Sequence, residues 1–200
     1  MSKPTGAACN LNCAYCFYLE KSALYPRGSK GTMSDEVLEA HIRQCFECQS
    51  GPLVTLAWQG GEPTLMGLDF FRRAVAIEKQ FAPPGVQVER TLQTNGVLLD
   101  DEWCRFLKDN SFLVGLSLDG PRKMHDTWRL DHKGGGTFDK VLNAARLLQQ
   151  YQVDFNTTLP DTFDNASWFP PQFWQYRDDT HAPLAPTFSW INAHTIEVTG

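Results

Sequence analysis

Three cysteines fall within a short stretch near the N-terminus. Cys9, Cys13 and Cys16 stand at C-x3-C-x2-C spacing, with no fourth in register. A closed zinc site or a closed iron–sulfur cluster takes four protein ligands. Three thiolates on one compact loop can instead hold three irons of a 4Fe–4S cluster. The fourth iron then stays open to a small molecule, just as an open coordination position marks a catalytic metal. The same residues allow three plainer readings: a structural zinc site completed by a distant His, a disulfide framework, or a chance group of free thiols. The length of the chain and the lack of a leader sequence in its first residues argue against the disulfide framework.

Other polar residues that could do chemistry sit where apolar runs end. Leu53–Trp58 leads into Gln59-Gly60-Gly61-Glu62-Pro63. A double glycine there lets backbone approach a ligand closely, and backbone carbonyls with the Glu62 carboxylate could meet an ammonium group. Further on come Gln93-Thr94-Asn95-Gly96, then Ser117-Leu118-Asp119-Gly120, then Arg129. An arginine can clamp a carboxylate bidentately, although a surface position is commoner for it. Asn95-Gly96 and Asp119-Gly120 also read as plain turns. Cys45 and Cys48 lie at i, i+3 and read as packing residues, and Cys104 reads as core. The glycine run after Lys133 is a flexible loop and not a phosphate-binding motif.

The elements that carry these residues follow from hydrophobic period and end signals. Met1 to Ala8 reads as a first strand, lacking its beginning, with Pro4 at its front. Ser34-Asp35-Glu36 starts a helix whose apolar face is Val37, Leu38, Ile42 and Cys45. Further helices are expected over 67–81 (Phe70, Phe71, Val75, Ile77), 100–108 and 137–151, with strands at 53–58, 86–94, 112–118 and from 153. Strands separated by single helices imply a parallel α/β arrangement with right-handed crossovers. Polar residues gathered at the same end of successive strands are how a barrel builds its site.

Lys3-Pro4-Thr5-Gly6, the cysteine loop with Tyr15, and the following Phe17-Tyr18-Leu19-Glu20 resemble the cluster loop of radical S-adenosylmethionine (SAM) enzymes. Within that superfamily they are most similar to anaerobic sulfatase-maturating enzymes. Gly60-Gly61-Glu62-Pro63 looks like the family's GGEP motif. The fold this resemblance implies is α/β, a partial TIM-type (β/α)6 barrel, incomplete at the C-terminus. It implies that Cys9, Cys13 and Cys16 ligate a 4Fe–4S cluster whose open iron takes SAM. It also implies that Tyr15 backs the adenine, Gly60 holds the methionyl amine, and Ser117 and Arg129 fix the remaining polar groups. No catalytic residue is assigned. The implied reaction is oxidation of a Cys or Ser of a sulfatase polypeptide to Cα-formylglycine, with a reductant such as flavodoxin or ferredoxin. A related maturase of another peptide, or a non-catalytic iron–sulfur or zinc module, are the alternatives.

The formal charge of −5 gives no electrostatic footprint for nucleic acid or an anionic membrane. No apolar run is long enough to span a bilayer. Six cysteines suit a reducing, cytoplasmic setting. The chain divides into a core, 1–158, and a divergent tail, 159–200. The tail holds five acids (Asp161, Asp164, Asp178, Asp179, Glu197) against one base, Arg177, and no lysine. Periodicity and resemblance both fade there, as a break in the reading frame would cause; a short helix over 173–179 is the one element expected in it.

Overall fold

The computed structural model describes residues 1–25, 31–49, 51–157, 187–192 and 195–199. Four parallel strands lie side by side in chain order: β1 (Leu53–Trp58), β2 (Gln87–Thr94), β3 (Phe112–Leu116) and β4 (Asp154–Thr157). Helices α1 (Asp35–Cys48), α2 (Leu68–Phe81), α3 (Asp101–Asp109), α4 (Arg122–Trp128) and α5 (Phe138–Gln150) stand before and between them. Two further strands, β5 (Thr187–Asn192) and β6 (Thr195–Thr199), pair antiparallel as a hairpin. The helix expected over 173–179 lies outside the described residues.

The register shows why each strand faces as it does. Leu56 pairs with Arg90, Trp58 with Leu92, Leu92 with Val114, and Val114 with Phe155. Pleating puts these residues on one face of the sheet, and that face packs on the helices. Phe71 is fully buried there and meets Trp58, Phe70, Trp103 and Phe112 edge-on, with centroids 5.3–6.5 Å apart. Edge-to-face aromatic packing at these distances is favourable beyond the area it buries. The opposite face carries Thr55, Thr91, Gln93, Gly115 and Asn156, small or polar residues suited to the lining of a barrel, together with the exposed Leu53 and Leu113.

Helix starts follow local chemistry. Ser34 caps α1 by accepting from the Val37 N–H at 3.3 Å, and Asp100 caps α3 by accepting from the Trp103 N–H at 2.9 Å. On α1 the buried stripe is Leu38 and Ile42, while Val37 stands 53% exposed. Val37 was expected on the core face. It sits in the first turn, about 100° around the axis from Leu38, where no described element covers it.

One ionic pair lies inside this layer. Glu78 of α2, buried, accepts from Arg90 Nε at 2.6 Å, and Arg90 also reaches the Asn110 carbonyl at 3.1 Å. Burial raises the Glu78 carboxyl pKa and Arg90 opposes that rise. Cys104 is fully buried, as expected.

The expected first strand is reduced to a single parallel bridge, Ser2 to Trp58. Pro4 has no N–H to give a ladder, and the chain then turns through Gly6 N–H to Lys3 O (3.0 Å) and Ala8 N–H to Thr5 O (3.0 Å). It still runs alongside the β1 exit: Gln59 N–H reaches Ser2 O, Gly61 N–H reaches Gly6 O, and Glu62 N–H reaches Ala8 O, all at 2.8–2.9 Å.

Candidate functional site

Gly60 and Gly61 were expected to let backbone approach a ligand. The backbone that comes close in this structure belongs to the cysteine loop. A Cβ on Gly61 would lie 2.0 Å from Ala8 O, one residue before Cys9. Gly60 adopts φ +125°, and a Cβ there would meet Lys3 and Gly6. The double glycine therefore lets two backbone segments lie flush and seats the cysteine loop at the C-terminal end of β1.

Glu62 differs from the expectation. Its carboxylate does not face outward toward an ammonium group. It is 1% exposed. It accepts from Thr64 N–H (3.1 Å), Thr64 Oγ1 (2.6 Å), Thr94 Oγ1 (2.7 Å) and Asn95 N–H (2.7 Å). Desolvation raises its pKa, and those donors oppose the rise. Glu62 thus ties the β1 exit to the β2 exit. Asn95, at that second exit, donates from Nδ2 to Asn10 Oδ1 at 2.7 Å and lies 3.7 Å from Cys9 Sγ. Asn95 was noted only as a polar residue at a strand end, with no role given, and Asn10 was not singled out. The clue in the sequence was the Asn95 amide at a strand end, where a turn explains an asparagine equally well.

The three cysteines share one loop and are close enough for the charge of one to bear on another. Cys9 Sγ accepts from Leu11 N–H at 3.3 Å and Cys16 Sγ from Tyr18 N–H at 3.4 Å. Burial raises the Cys9 and Cys13 thiol pKa values, Cys13 to about 11, and the Arg129 cation works against the rise at Cys13. Among the described residues no three His, Cys, Asp or Glu side chains converge on one ion-sized point. Thiols spread along a loop suit the corners of a cuboidal cluster, and backbone N–H groups aimed at two of the sulfurs are what cluster thiolates use. The donor set fits a three-thiolate cluster.

The loop is held from the other side by residues 128–131. Asn12 N–H donates to Leu130 O (2.8 Å) and Ala14 N–H to Trp128 O (2.9 Å). The Tyr15 phenol donates to Asp119 Oδ2, which also accepts from Arg129 Nε at 2.8 Å. The Arg129 guanidinium lies over the Tyr15 ring at 5.5 Å. Burial and the neighbouring Asp119 push the Tyr15 pKa upward. Burial works against the Arg129 cation, but Asp119 and Tyr15 outweigh it and hold Arg129 charged. Arg129, expected to meet a ligand carboxylate, thus has a protein carboxylate as its partner.

Ser117 lies just beyond β3, where its Oγ accepts from Gln93 Nε2 at 3.2 Å. That amide lies across Gly115, whose Cβ would fall 2.1 Å from Gln93 Oε1. Of the expected site residues, Tyr15 and Arg129 are brought together with the cysteines, and Gly60 abuts the same loop. Ser117 joins them through the end of β3, two residues from Asp119.

Two elements beside the site were not foreseen, nor was the β5–β6 hairpin of the tail. Residues 122–128 form helix α4, short enough that no full apolar stripe marks it. The glycine run at 133–136, expected to be flexible, is closed into a hairpin: Leu130 bridges Gly136, and Asp131 Oδ1 accepts from Lys133 and Gly135 N–H at 2.8 Å each.

A parallel sheet bearing its polar residues at the strand exits, with a three-cysteine loop against them, defines a class. The sequence profile of the Radical SAM superfamily matches residues 4–168, and the chain belongs to that family. The particular resemblance is to anaerobic sulfatase-maturating enzymes. The serine-type enzyme of Bacteroides thetaiotaomicron is 41% identical over 197 residues, 97% of this chain and 47% of the relative. A cysteine-type enzyme of Clostridium perfringens is 44% identical over 164 residues, 82% of this chain and 44% of the relative. A solved structure, native anSMEcpe with bound AdoMet and Cp18Cys peptide, superposes with a TM-score of 0.70 at 42% identity, covering 78% of this chain and 40% of the other. The chain spans about half the length of the curated relatives it matches. Among the described residues no helix is long and apolar enough to cross a membrane.

Proposed function

We propose that this chain carries the cluster and SAM site of an anaerobic sulfatase-maturating enzyme. The reaction is the oxidation of a Cys or Ser side chain in a sulfatase polypeptide to Cα-formylglycine. In this reading residues 1–158 are the working core and 159–200 a separate tail. The supporting observation is the clamp on the cysteine loop, with Gly61 and Glu62 on one side and Trp128, Leu130 and the Tyr15–Asp119–Arg129 group on the other.

Cys9, Cys13 and Cys16 would hold a 4Fe–4S cluster with one iron left to SAM. Such a cluster, when bound, supplies the electron that cleaves SAM reductively and so creates the hydrogen-abstracting radical. The protein's own part is positioning. Tyr15 presents a ring beside the cysteines for an adenine. The Gly60 backbone faces the methionyl amine, and Ser117 and Arg129 fix the remaining polar groups. The reductant is a flavodoxin or ferredoxin, and the setting the cytoplasm.

Anaerobic reconstitution with iron and sulfide, then SAM and dithionite, tests this by the yield of 5′-deoxyadenosine. The nucleoside is expected from the unmutated chain and lost, by at least about 100-fold, in Cys13→Ala. A cluster that forms without ever cleaving SAM overturns the reading. Serine-type and cysteine-type relatives match at similar identity, so both peptide types are the substrates to offer.

A further inference from the structure

Helix α4 contains a histidine that the proposed function leaves without a task. His125 is fully buried, and its two ring nitrogens join the segments that hold the cysteine loop. The Asp119 N–H lies 3.2 Å from His125 Nδ1, and His125 Nε2 lies 3.0 Å from Thr137 Oγ1. The Thr137 hydroxyl, also fully buried, donates to Arg129 O at 2.8 Å. Every proton in this chain is assigned by its ends. A carbonyl only accepts, so Thr137 spends its one proton on Arg129 O and must accept from the ring. An amide N–H only donates, so Nδ1 must accept. His125 is therefore the neutral Nε2–H tautomer, consistent with burial holding its pKa down to about 4.

The ends of the relay are the two residues that matter to the loop. Asp119 and Arg129 form the ion pair that takes the Tyr15 phenol. The Arg129 carbonyl stands between those of Trp128 and Leu130, which receive Ala14 and Asn12 of the cysteine loop. We propose that His125 and Thr137 are positioning residues, a one-way hydrogen-bond relay that sets the backbone at Asp119 and Arg129 and thereby fixes the cysteine loop in the geometry its thiols need. The consequence of the relay for SAM rests on the proposed function.

The chain supplies its own probes. Cys13 is 7% exposed in the clamped loop, Cys104 is 0% exposed in the core, and Cys48 is exposed. Alkylation of each is followed by mass spectrometry in the cluster-free chain. Thr137→Val keeps the shape and removes the hydroxyl; loss of its hydrogen bonds should speed Cys13 alkylation roughly tenfold, with Cys104 unchanged. Thr137→Ser restores the hydroxyl and should bring Cys13 back to within about twofold of the unmutated rate. Cys13 unchanged in Thr137→Val, or Cys104 rising in parallel with it, overturns the proposal. If Thr137→Val does not fold, ¹⁵N imidazole spectra of the unmutated chain decide. An Nε2–H tautomer that persists through pH 6 supports the relay, and an Nδ1–H tautomer or a ring titrating near its ordinary value refutes it. None of these readouts needs a bound cluster, so failure here leaves the proposed function standing. In reconstituted protein the same Thr137→Val change should lower the iron content, and SAM binding by calorimetry with it, and Thr137→Ser should restore both.

Discussion

At the scale of single residues, the buried titratable groups set opposing pH dependences. His125 has a folded pKa near 4, below its ordinary value of 6.5. The unfolded chain therefore binds the extra proton first, and stability falls as pH drops from about 6.5 toward 4. Asp119 and Asp126 favour the charged ring and Arg129 disfavours it, but burial dominates. Glu62 and Glu78 work the other way. Their pKa values are raised, so the stability they contribute is full below the ordinary carboxylate range and is lost as pH rises through their folded values. Comparison with His125→Gln isolates the first effect. Between pH 7 and 4.5 the unmutated chain should lose about 2–3 kcal/mol more than the variant, read from urea midpoints. Equal slopes would mean that His125 is charged in the fold.

At the scale of elements, two glycines with nearly equal clashes should behave differently, because different groups lie opposite. In Gly61→Ala the new methyl meets the Ala8 backbone at 2.0 Å, between two segments pinned by hydrogen bonds. A cost of about 2–3 kcal/mol and a poor cluster yield on reconstitution are expected. In Gly115→Ala the methyl meets the far end of the Gln93 side chain, which can rotate away. Melting temperature should change little while the Gln93–Ser117 contact is lost, so the defect should surface as weaker SAM binding with normal iron content. Iron analysis and calorimetry on both variants separate the two. A full cluster yield in Gly61→Ala would show that the flush packing of the loop against β1 is dispensable.

At the scale of the whole molecule, the sheet has one face for packing and one for the site. Phe71 is central to the packed face, touching aromatic residues of β1, α2, α3 and β3. Phe71→Ala should lower unfolding free energy by about 3–5 kcal/mol, measured by urea titration. Loss of that size would leave little of a domain's usual margin. A loss under about 1 kcal/mol would mean that the helix layer packs otherwise.

The sequence by itself determined the cysteine spacing, the alternation of β1 to β4 with α1, α2, α3 and α5, and the strand exits where polar residues gather, though not α4 or the loss of the expected first strand. Each is a local property: thiol spacing along a loop, an apolar period of 2 or 3.6, a cap three residues ahead. It also carried the family resemblance, because the motif residues adjoin one another in the chain. Tertiary structure decided which partner each polar group takes. Glu62 reads as an outward carboxylate until Thr94 and Asn95, more than thirty residues on, arrive to donate to it beside the nearby Thr64. Arg129 reads as a ligand clamp until Asp119 and Tyr15 are brought beside it. His125 carries no signal at all in the sequence. Its role depends on hydrogen bonds to Asp119 on one side and Thr137 on the other, and only the folded sheet sets those distances.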